Sequence, residues 1–417
     1  MDKMLNILIN AYAVAPNWGS EQGMGWNWII NIAKFCKVFV ITEGEWEKEI
    51  NEAISSLPQK DNIKFFYNPV SENIRKMCWN QGDWRFYIYY SKWQRKTLQI
   101  AKDIVKKYDI DIIHQLNMVG FREPGLLWKI NNVPFIWGPF CGCTPINLKY
   151  LDNSSLKERC KYRLKNIINW LQIRYSPRIR SAFKHASALI TTDETVRNIV
   201  LKIYNKDSLL ISETGIQEGC IPITKVDRLD NGMFNILWVG RFIKTKKLDI
   251  ALKTISLLKD INNIRLHIIG FGMNNEDIYY KNLAIDLGIS DKCIWYGKMN
   301  NQDVKTLMRK MDIFFFTSVL EATSTVVPEA IQNRLPIVCH DICGFGPLIN
   351  NSIGRKIPLS TPNESAIKFA EIIRYFYQMP SELSDMKQNF DIVADRLKFD
   401  IKGQMMYELY NKIINKD

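Results

Sequence analysis

Two carboxylates stand eight positions apart in the segment EATSTVVPEA, which follows the apolar run DIFFFTS after Val319 and Leu320. The run predicts a strand that ends before Glu321. A helix is predicted from Val326, because helix propensity improves from there and Pro328 is tolerated within a first helical turn. Residues Thr323–Thr325 then form a loop and helix amino end whose free amides can bind an anion, with Glu329 in the first turns. The alternative is structural, since acidic side chains near a helix amino end also stabilise the helix dipole.

A pair of cations follows another predicted strand, in the segment FNILWVGRFIKTKKLDIAL. Gly240 ends the strand, Arg241 comes next, and Lys246 lies near the start of the following helix. Two cations at one strand end suit a diphosphate, because they would neutralise its charge as it leaves. The alternative is a solvated helix start, where lysines are common.

Glycines follow two further predicted strands, IRLHIIG and CIWYG. Gly270 and Gly272 come after the first of these strands, and Gly297 ends the second. Glycine permits close approach of the backbone to a ligand, but each of these positions is also compatible with a simple turn.

A glycine-rich loop lies between the first predicted strand and a helix, within NILINAYAVAPNWGSEQGMGWNWIINIAKF. Its candidate anion-binding residues are Gly19, Ser20, Glu21 and Gly23. Backbone amides of such a loop can approach an anion at a helix amino end. One alternative is a tight turn, and another is a dinucleotide site with Glu43 on the ribose. The glycine spacing, which includes Gly25, does not fit the G-x-G-x-x-G pattern of that second alternative.

The rest of the chain alternates short apolar runs with longer helical patterns. The predicted strands are NILINAY, VFVIT, IKFFYN, DIIHQL, VPFIWG, SALITT, SLLISET, FNILWVG, IRLHIIG, CIWYG, DIFFFTS and PIVCHD. Strands that are apolar on both faces and alternate with helices predict parallel sheets covered by helices. The fold class is therefore α/β, with two facing, doubly wound Rossmann-like domains. Ligands of such sheets bind beyond the carboxyl ends of the strands, so a cleft is expected between the domains.

Composition restricts the class of protein. The 417 residues exceed one ordinary domain, and 47% apolar with 24% charged residues is typical of globular proteins. The chain starts with a strand pattern, MDKMLNILINAY, and no apolar run approaches a bilayer span, so we expect a cytoplasmic protein. The pairs Cys141/Cys143 and Cys339/Cys343 lack zinc-knuckle spacing, and the four histidines lie far apart, so reduced thiols and no metal are expected.

The net charge of +13 calls for an acidic partner. Between Lys157 and Lys184 there are nine basic residues and one acid, with apolar residues at helical spacing. Residues 84–107 mix aromatic and basic side chains. One interpretation is contact with anionic lipid at the inner face of the cytoplasmic membrane. The alternative is a core-facing helix with a solvated opposite side, and no motif supports nucleic acid as a partner.

Together these segments resemble family 4 of the retaining glycosyltransferases, which have the GT-B fold. The resemblance rests on G-R-x4-K at Gly240 to Lys246, on G-x-G at Gly270 to Gly272, and on E-x7-E at Glu321 to Glu329. The segments GSEQGMGW, HQLNMVGFREPGLLW and IWGPFCG also resemble a bacterial subgroup. The polar stretch 217–232, with Gly219, Pro222 and Gly232, interrupts the series of strands and predicts a linker. By the resemblance, residues 1–216 form an acceptor-binding domain and 233–395 a nucleotide-sugar-binding domain. A final helix in 396–417 is expected to pack back on the first domain.

The resemblance also implies roles for individual residues. Arg241 and Lys246 would contact the donor diphosphate, Glu321 the hydroxyls of the donor sugar, and Glu329 the ribose. His114 would be the active-site histidine, although a strand-end histidine is also commonly a hydrogen-bonded core residue. The remaining expected donor-binding residues are Gly240, Gly270, Gly272, Gly297, Met299, Thr323, Ser324 and Thr325.

The expected function is retaining, metal-independent transfer of a sugar from a nucleotide-diphosphate sugar, with UDP as the expected nucleotide and no cofactor. The expected acceptor is a saccharide or lipid-linked saccharide of bacterial surface polysaccharide biosynthesis. Two alternatives remain open. A nucleotide-sugar epimerase or hydrolase of the same fold would act without an acceptor, and a non-catalytic basic protein would bind anionic lipid.

Overall fold

The computed structural model describes residues 4–79, 83–151, 155–229, 231–273, 275–321, 324–346 and 348–415. The chain divides into two compact units. Unit 1 comprises the described parts of 1–145, 167–217 and 399–417, and unit 2 comprises those of 146–166 and 218–398.

The strands are numbered in chain order. They are Asn6–Ala11 (β1), Lys37–Thr42 (β2), Ile63–Tyr67 (β3), Ile112–Asn117 (β4), Phe135–Phe140 (β5), Ala186–Thr191 (β6), Leu209–Leu210 (β7), Phe234–Val239 (β8), Ile264–Ile269 (β9), Cys293–Gly297 (β10), Ile313–Phe316 (β11), Ile337–His340 (β12) and Gly354–Ile357 (β13). Every predicted apolar run overlaps one of these strands. Only β13, with the sequence GRKI, was not predicted, because its polar residues give no apolar signal.

The helices surround these strands. They are Ser20–Ile32 (α1), Glu47–Ser55 (α2), Glu72–Trp79 (α3), Phe86–Tyr108 (α4), Leu156–Tyr175 (α5), Pro177–His185 (α6), Glu194–Tyr204 (α7), Leu248–Ser256 (α8), Glu276–Asp286 (α9), Asn301–Met308 (α10), Val326–Gln332 (α11), Pro362–Gln378 (α12), Pro380–Gln388 (α13), Phe390–Asp395 (α14) and Phe399–Ile414 (α15). Within the described ranges, none of them combines the length and apolar content that a bilayer span requires.

Each unit is built on one parallel sheet. In the described part of unit 1 the strand order is β3-β2-β1-β4-β5-β6-β7, and in that of unit 2 it is β10-β9-β8-β11-β12-β13. In each sheet the first strand of the unit, β1 or β8, lies inside the sheet. The next two strands are added on one side of it and the later strands on the other side, as in doubly wound folds. The predicted α/β class with two Rossmann-like domains is therefore confirmed.

Successive residues of a strand in the unit 1 sheet pack alternately into the cores on its two faces. Ile7 and Ile9 of β1 pack into one apolar core, and Leu8 between them packs into another. Adjacent strand residues point to opposite faces, so a strand that is apolar throughout must be covered on both sides.

Helix α15 belongs to unit 1 and packs closely on α1. A Cβ atom added at Gly403 would lie 2.5 Å from the Asn31 carbonyl oxygen, so a larger residue would force the two helices apart. Nearby, the buried Lys402 Nζ donates to the carbonyl oxygens of Ser212, at 2.7 Å, and Thr214. Burial lowers the pKa of Lys402 to about 7.

Residues 146–166 group with unit 2, although the sequence analysis assigned them to the first domain. Tyr150 is buried there, and its hydroxyl accepts from the Ser360 amide at 2.9 Å and bonds Ser365 Oγ at 2.8 Å. The buried Lys247 Nζ donates to the Tyr150 carbonyl at 3.1 Å. These contacts connect distant parts of the sequence, which is why local pattern did not reveal them.

Candidate active site

Three glycines lie beside one another at the carboxyl ends of β8, β9 and β10 in unit 2. The Gly240 amide donates to the Ile269 carbonyl at 3.0 Å, and the Gly270 amide donates to the Gly297 carbonyl at 2.9 Å. A Cβ atom at Gly270 would lie 1.8 Å from the Gly240 carbonyl oxygen. Gly297 has a φ of +69°, which favours glycine. The absence of a side chain at Gly270 therefore lets the ends of β8 and β9 approach closely, whereas glycine at 297 permits the local backbone conformation.

The loop after β8 is fastened to the end of β11 by Thr317. The buried Thr317 hydroxyl lies 2.8 Å from the Lys246 carbonyl oxygen and 2.9 Å from that of Lys247, and it accepts from Trp238 Nε1 at 2.9 Å. The Val319 amide also donates to the Thr245 carbonyl at 2.9 Å. These bonds fix the backbone that carries Lys246.

Lys246 and Glu321, predicted from separate motifs, form an ion pair. Lys246 Nζ donates to Glu321 Oε1 at 2.6 Å, and the two side chains are only 15% and 6% exposed. The ammonium also lies 5.3 Å from the centre of the Phe316 ring. Partial burial strengthens the attraction within such a pair, although removing both charges from water opposes it. Arg241, the other predicted cation, is exposed on the same loop.

Glu329 lies in α11, which begins at the predicted residue, Val326. Its Oε1 accepts from Asn301 Nδ2 at 2.7 Å. Burial raises the pKa of Glu329, and the hydrogen bond from Asn301 opposes this shift. A carboxylate held in this way can accept from a ligand hydroxyl with its remaining lone pairs.

The segment between the two glutamates is described only in part. Thr323 lies outside the described residues. Ser324 is buried, and its hydroxyl has no hydrogen-bond partner among the described residues. Thr325 is half-buried and stands directly before α11. An unsatisfied buried hydroxyl costs free energy, so Ser324 is suited to bond a ligand here.

Two other predicted donor-binding residues lie in different surroundings. The Gly272 amide already donates to Asp277 Oδ1 at 2.9 Å, and a Cβ there would lie 2.5 Å from the Glu276 side chain. The Gly272 amide therefore bonds a side chain in the first turn of α9 and is not available to a ligand. Met299 is half-buried in the segment between β10 and α10.

Sequence reasoning missed His340 at the end of β12. Its Nδ1 lies 3.1 Å from the carbonyl oxygens of both Thr317 and Ser318, and its Nε2 lies 3.0 Å from Ser365 Oγ. Burial lowers the pKa of His340 to about 4, so the ring is neutral near pH 7. It supports the backbone beside Thr317. The only sequence signal was a polar residue closing the apolar run PIVCHD.

The glycine-rich loop of unit 1 combines close packing with an exposed helix start. A Cβ at Gly23 would lie 1.8 Å from the Trp18 carbonyl oxygen, so glycine is required there for packing. Gly19 and Ser20 are exposed where α1 begins. Glu21 Oε1 accepts from the Val119 amide at 2.6 Å, and burial raises the pKa of Glu21 to about 7. The loop is thereby tied to the chain that follows β4.

The structure contradicts the predicted catalytic role of His114. The side chain is fully buried in unit 1, with Nδ1 2.8 Å from the Tyr410 hydroxyl and Nε2 2.6 Å from the Gly138 carbonyl oxygen. A carbonyl oxygen only accepts, so Nε2 carries the proton and Nδ1 accepts from Tyr410. Burial lowers the pKa of His114 to about 4. The residue is a neutral core histidine, which was the alternative interpretation.

The dinucleotide alternative fails at Glu43. This buried carboxylate accepts from the Val70 amide at 2.9 Å and pairs with Arg75 at 2.9 Å. Both contacts hold it within unit 1, so it is not free to bond a ribose. Among the described residues, no group of three or more His, Cys, Asp or Glu side chains is placed to hold a metal ion.

Comparison with known proteins supports a family for the second half of the chain. Residues 223–391, less than half of the chain, match the family model of glycosyl transferases group 1. An uncharacterized glycosyltransferase, MJ1607 of Methanocaldococcus jannaschii, is 26% identical over 40% of this chain and 45% of its own length. The O-antigen chain mannosyltransferase RfbU of Salmonella typhimurium is 23% identical over 55% of this chain and 60% of its own length. The matched region thus spans less than two thirds of either relative.

A solved structure covers more of the chain at lower identity. The Anabaena protein Alr3699/HepE, solved in complex with UDP, matches 98% of this chain and 100% of its own with a TM-score of 0.63 and 14% identity. This likeness concerns the fold, and it confirms the predicted GT-B class.

We predict that Thr317→Val lowers the free energy of unfolding by about 1–3 kcal/mol, because the buried Trp238 Nε1 loses its acceptor. Denaturant unfolding measures the change. The control is Thr306→Val, which removes an exposed hydroxyl bonded to the Gln302 carbonyl and should change stability by less than about 0.5 kcal/mol. Equal losses in the two variants would contradict the role given to Thr317.

We also predict a pH-dependent stability contribution from His114. Its folded-state pKa of about 4 lies below its ordinary value of 6.5, so the unfolded chain takes up a proton first as the pH falls. The stability advantage of the wild type over His114→Gln should therefore shrink by about 2 kcal/mol between pH 7 and pH 5. Unfolding measurements at both pH values test this. An advantage that stays constant or grows on acidification would show that His114 is not held neutral.

Proposed function

We propose that the protein is a glycosyltransferase that moves a sugar from a nucleotide-diphosphate sugar to a saccharide or lipid-linked saccharide, with retention at the anomeric carbon. The observation that carries this proposal is the Lys246–Glu321 pair, held at 2.6 Å beside converging glycines at the strand ends. The match of residues 223–391 to glycosyl transferases group 1 supports it. A role in bacterial surface polysaccharide biosynthesis is supported by the similarity to the mannosyltransferase RfbU.

In this proposal the donor diphosphate lies against the loop that follows β8. Lys246 and Arg241 neutralise the charge that develops on the diphosphate as the bond to the sugar breaks. Because Lys246 is already fixed by Glu321 and by a restrained backbone, little reorganisation is needed when the donor binds. Two cationic side chains of the protein stabilise the negative charge of the departing diphosphate in this proposal. We therefore propose that no metal is required.

Glu321 and Glu329 hold the two ends of the donor. Glu321 accepts hydrogen bonds from the sugar hydroxyls while it keeps Lys246 in place. Glu329, positioned by Asn301, accepts from the ribose. The Ser324 hydroxyl, which has no hydrogen-bond partner among the described residues, bonds the donor between the two glutamates. UDP is the proposed nucleotide, supported by the UDP complex of the similar Anabaena protein.

We further propose that the enzyme works at an anionic membrane surface, where lipid-linked acceptors are found. Most apolar residues of α5, which the core-face alternative would bury, are instead exposed, and only Ile173 of the described apolar residues in this helix is fully buried. An epimerase or hydrolase would release the sugar or alter it without an acceptor. Product analysis with and without acceptor extract therefore separates these enzymes from the proposed transferase.

We predict that Lys246→Ala and Arg241→Ala each lower turnover by a factor of about 100 or more, with Lys246→Ala at least as damaging. Each variant removes a preorganised cation from the departing diphosphate. The measurement is UDP release in the presence of acceptor extract. Lys244→Ala, a change of the same type in the same loop, is the control and should retain near wild-type turnover. Full turnover in either test variant would contradict the proposed diphosphate contact.

We predict that transfer survives EDTA, because two cationic side chains take the charge-neutralising role that a metal has in other transferases. The assay compares initial rates before and after chelation, and again after manganese is added. Loss of activity with EDTA and its recovery with manganese would show that the transfer depends on a metal.

A further inference from the structure

Helix α5 presents an uncovered apolar stripe in its unit 1 part. Ile167, Ile168, Leu171 and Tyr175 are 55%, 41%, 44% and 61% exposed. Leu171 lies three or four residues from each of the other three, which places them along one side of the helix. A contiguous apolar surface of this kind commonly marks contact with a membrane or another protein.

The stripe leads into a cationic pocket of about 760 Å³, also in unit 1. The pocket is lined by Arg174, Tyr175, Pro177, Arg180, Ser181, Phe183, Lys184, Ile203, Tyr204 and Lys206. Tyr175 belongs to both the stripe and the lining. The described lining contains four cations and no carboxylate, so the pocket is suited to a negatively charged group.

Three of the four cations can serve a ligand. Lys206 Nζ already donates to the carbonyl oxygens of Phe183, at 2.7 Å, and Ala186, at 2.9 Å, at the end of α6. Arg180 and Lys184 are exposed, whereas Arg174 is half-buried. Within the described parts of the chain, Arg174 Nε is buried without a hydrogen-bond partner. These three cations have no carboxylate partner there either.

We propose that this pocket binds the phosphate of an anionic phospholipid headgroup while the α5 stripe contacts the acyl region. Phosphate suits guanidinium groups, which bond two oxygens at once. The neighbouring apolar stripe favours a lipid over a soluble phosphate, which would leave that surface exposed to water. Nucleic acid is disfavoured because the Trp170 ring, which could stack on a base, already carries the Arg174 guanidinium at 4.6 Å.

The link between this surface and sugar transfer rests on the proposed function, because a lipid-linked acceptor would be reached from the membrane. Lipid binding itself requires neither donor nor acceptor. Failure of lipid binding and failure of glycosyl transfer are therefore separate results.

The test is flotation of the full chain with vesicles of phosphatidylglycerol mixed with phosphatidylcholine, compared with phosphatidylcholine alone. Wild type should bind the anionic vesicles at low ionic strength and release them at high ionic strength. The pocket variant Arg180→Glu/Lys184→Glu should bind at least about tenfold more weakly, since each cation near an anionic surface contributes to binding. The stripe variant Ile168→Ser/Leu171→Ser should also bind several-fold more weakly.

The matched control is Lys34→Glu/Lys37→Glu, which makes the same change in net charge at exposed unit 1 positions near the start of β2, outside both basic segments. It should lose much less vesicle affinity than the pocket variant, and all three variants should keep wild-type affinity for UDP. Equal losses in the control and the pocket variant would overturn the proposal, as would unchanged affinity in the pocket or stripe variant. Binding of inorganic phosphate or a single-stranded oligonucleotide without vesicle binding would also overturn it.

Discussion

The candidate site depends on the partly buried ion pair between Lys246 and Glu321. A charge in such surroundings is stable only when it is paired and hydrogen-bonded, so each partner fixes the position of the other. The pair joins the loop after β8 to the segment after β11, two adjacent strands of the unit 2 sheet. Thr317 reinforces this connection through the backbone, because its hydroxyl contacts the carbonyl oxygens of Lys246 and Lys247. The site therefore has a cation whose position is set before any ligand arrives.

Neighbouring glycines and His340 also fix the backbone around the Lys246–Glu321 pair. Gly240 and Gly270 lie so close that a side chain on Gly270 would collide with the neighbouring backbone. His340 bonds the carbonyl oxygens of Thr317 and Ser318 from the next strand, and its neutral ring suits a site that already concentrates positive charge. Unit 2 thus presents a strand-end surface with a compact backbone and a fixed lysine, and a fixed cation of this kind can stabilise negative charge on a ligand.

The sequence predicted the structural features that depend on residues adjacent in the chain. Buried parallel strands such as β4 and β5 are apolar throughout, so the runs DIIHQL and VPFIWG revealed them, whereas the polar edge strand β13 gave no such signal. The start of α11 at Val326 followed from the helix propensity of the residues after it, with Pro328 in the first turn. The surroundings of His114 and Glu43 could not be predicted, because Tyr410 and Arg75 approach them only after folding. The exposure of the apolar side of α5 could not be predicted either. A periodic apolar pattern predicts an apolar helix face without showing what covers it.

The central claim is that Lys246 contacts the diphosphate of the donor, and comparison of UDP with UMP tests it most directly. Titration calorimetry would measure both affinities in the wild type and in Lys246→Ala. The account predicts that the wild type prefers UDP, because only UDP carries the second phosphate. This preference should fall about tenfold or more in the variant, as expected when a hydrogen bond to a charged group is lost. The same ratio of UDP to UMP affinity in both proteins would contradict the claim.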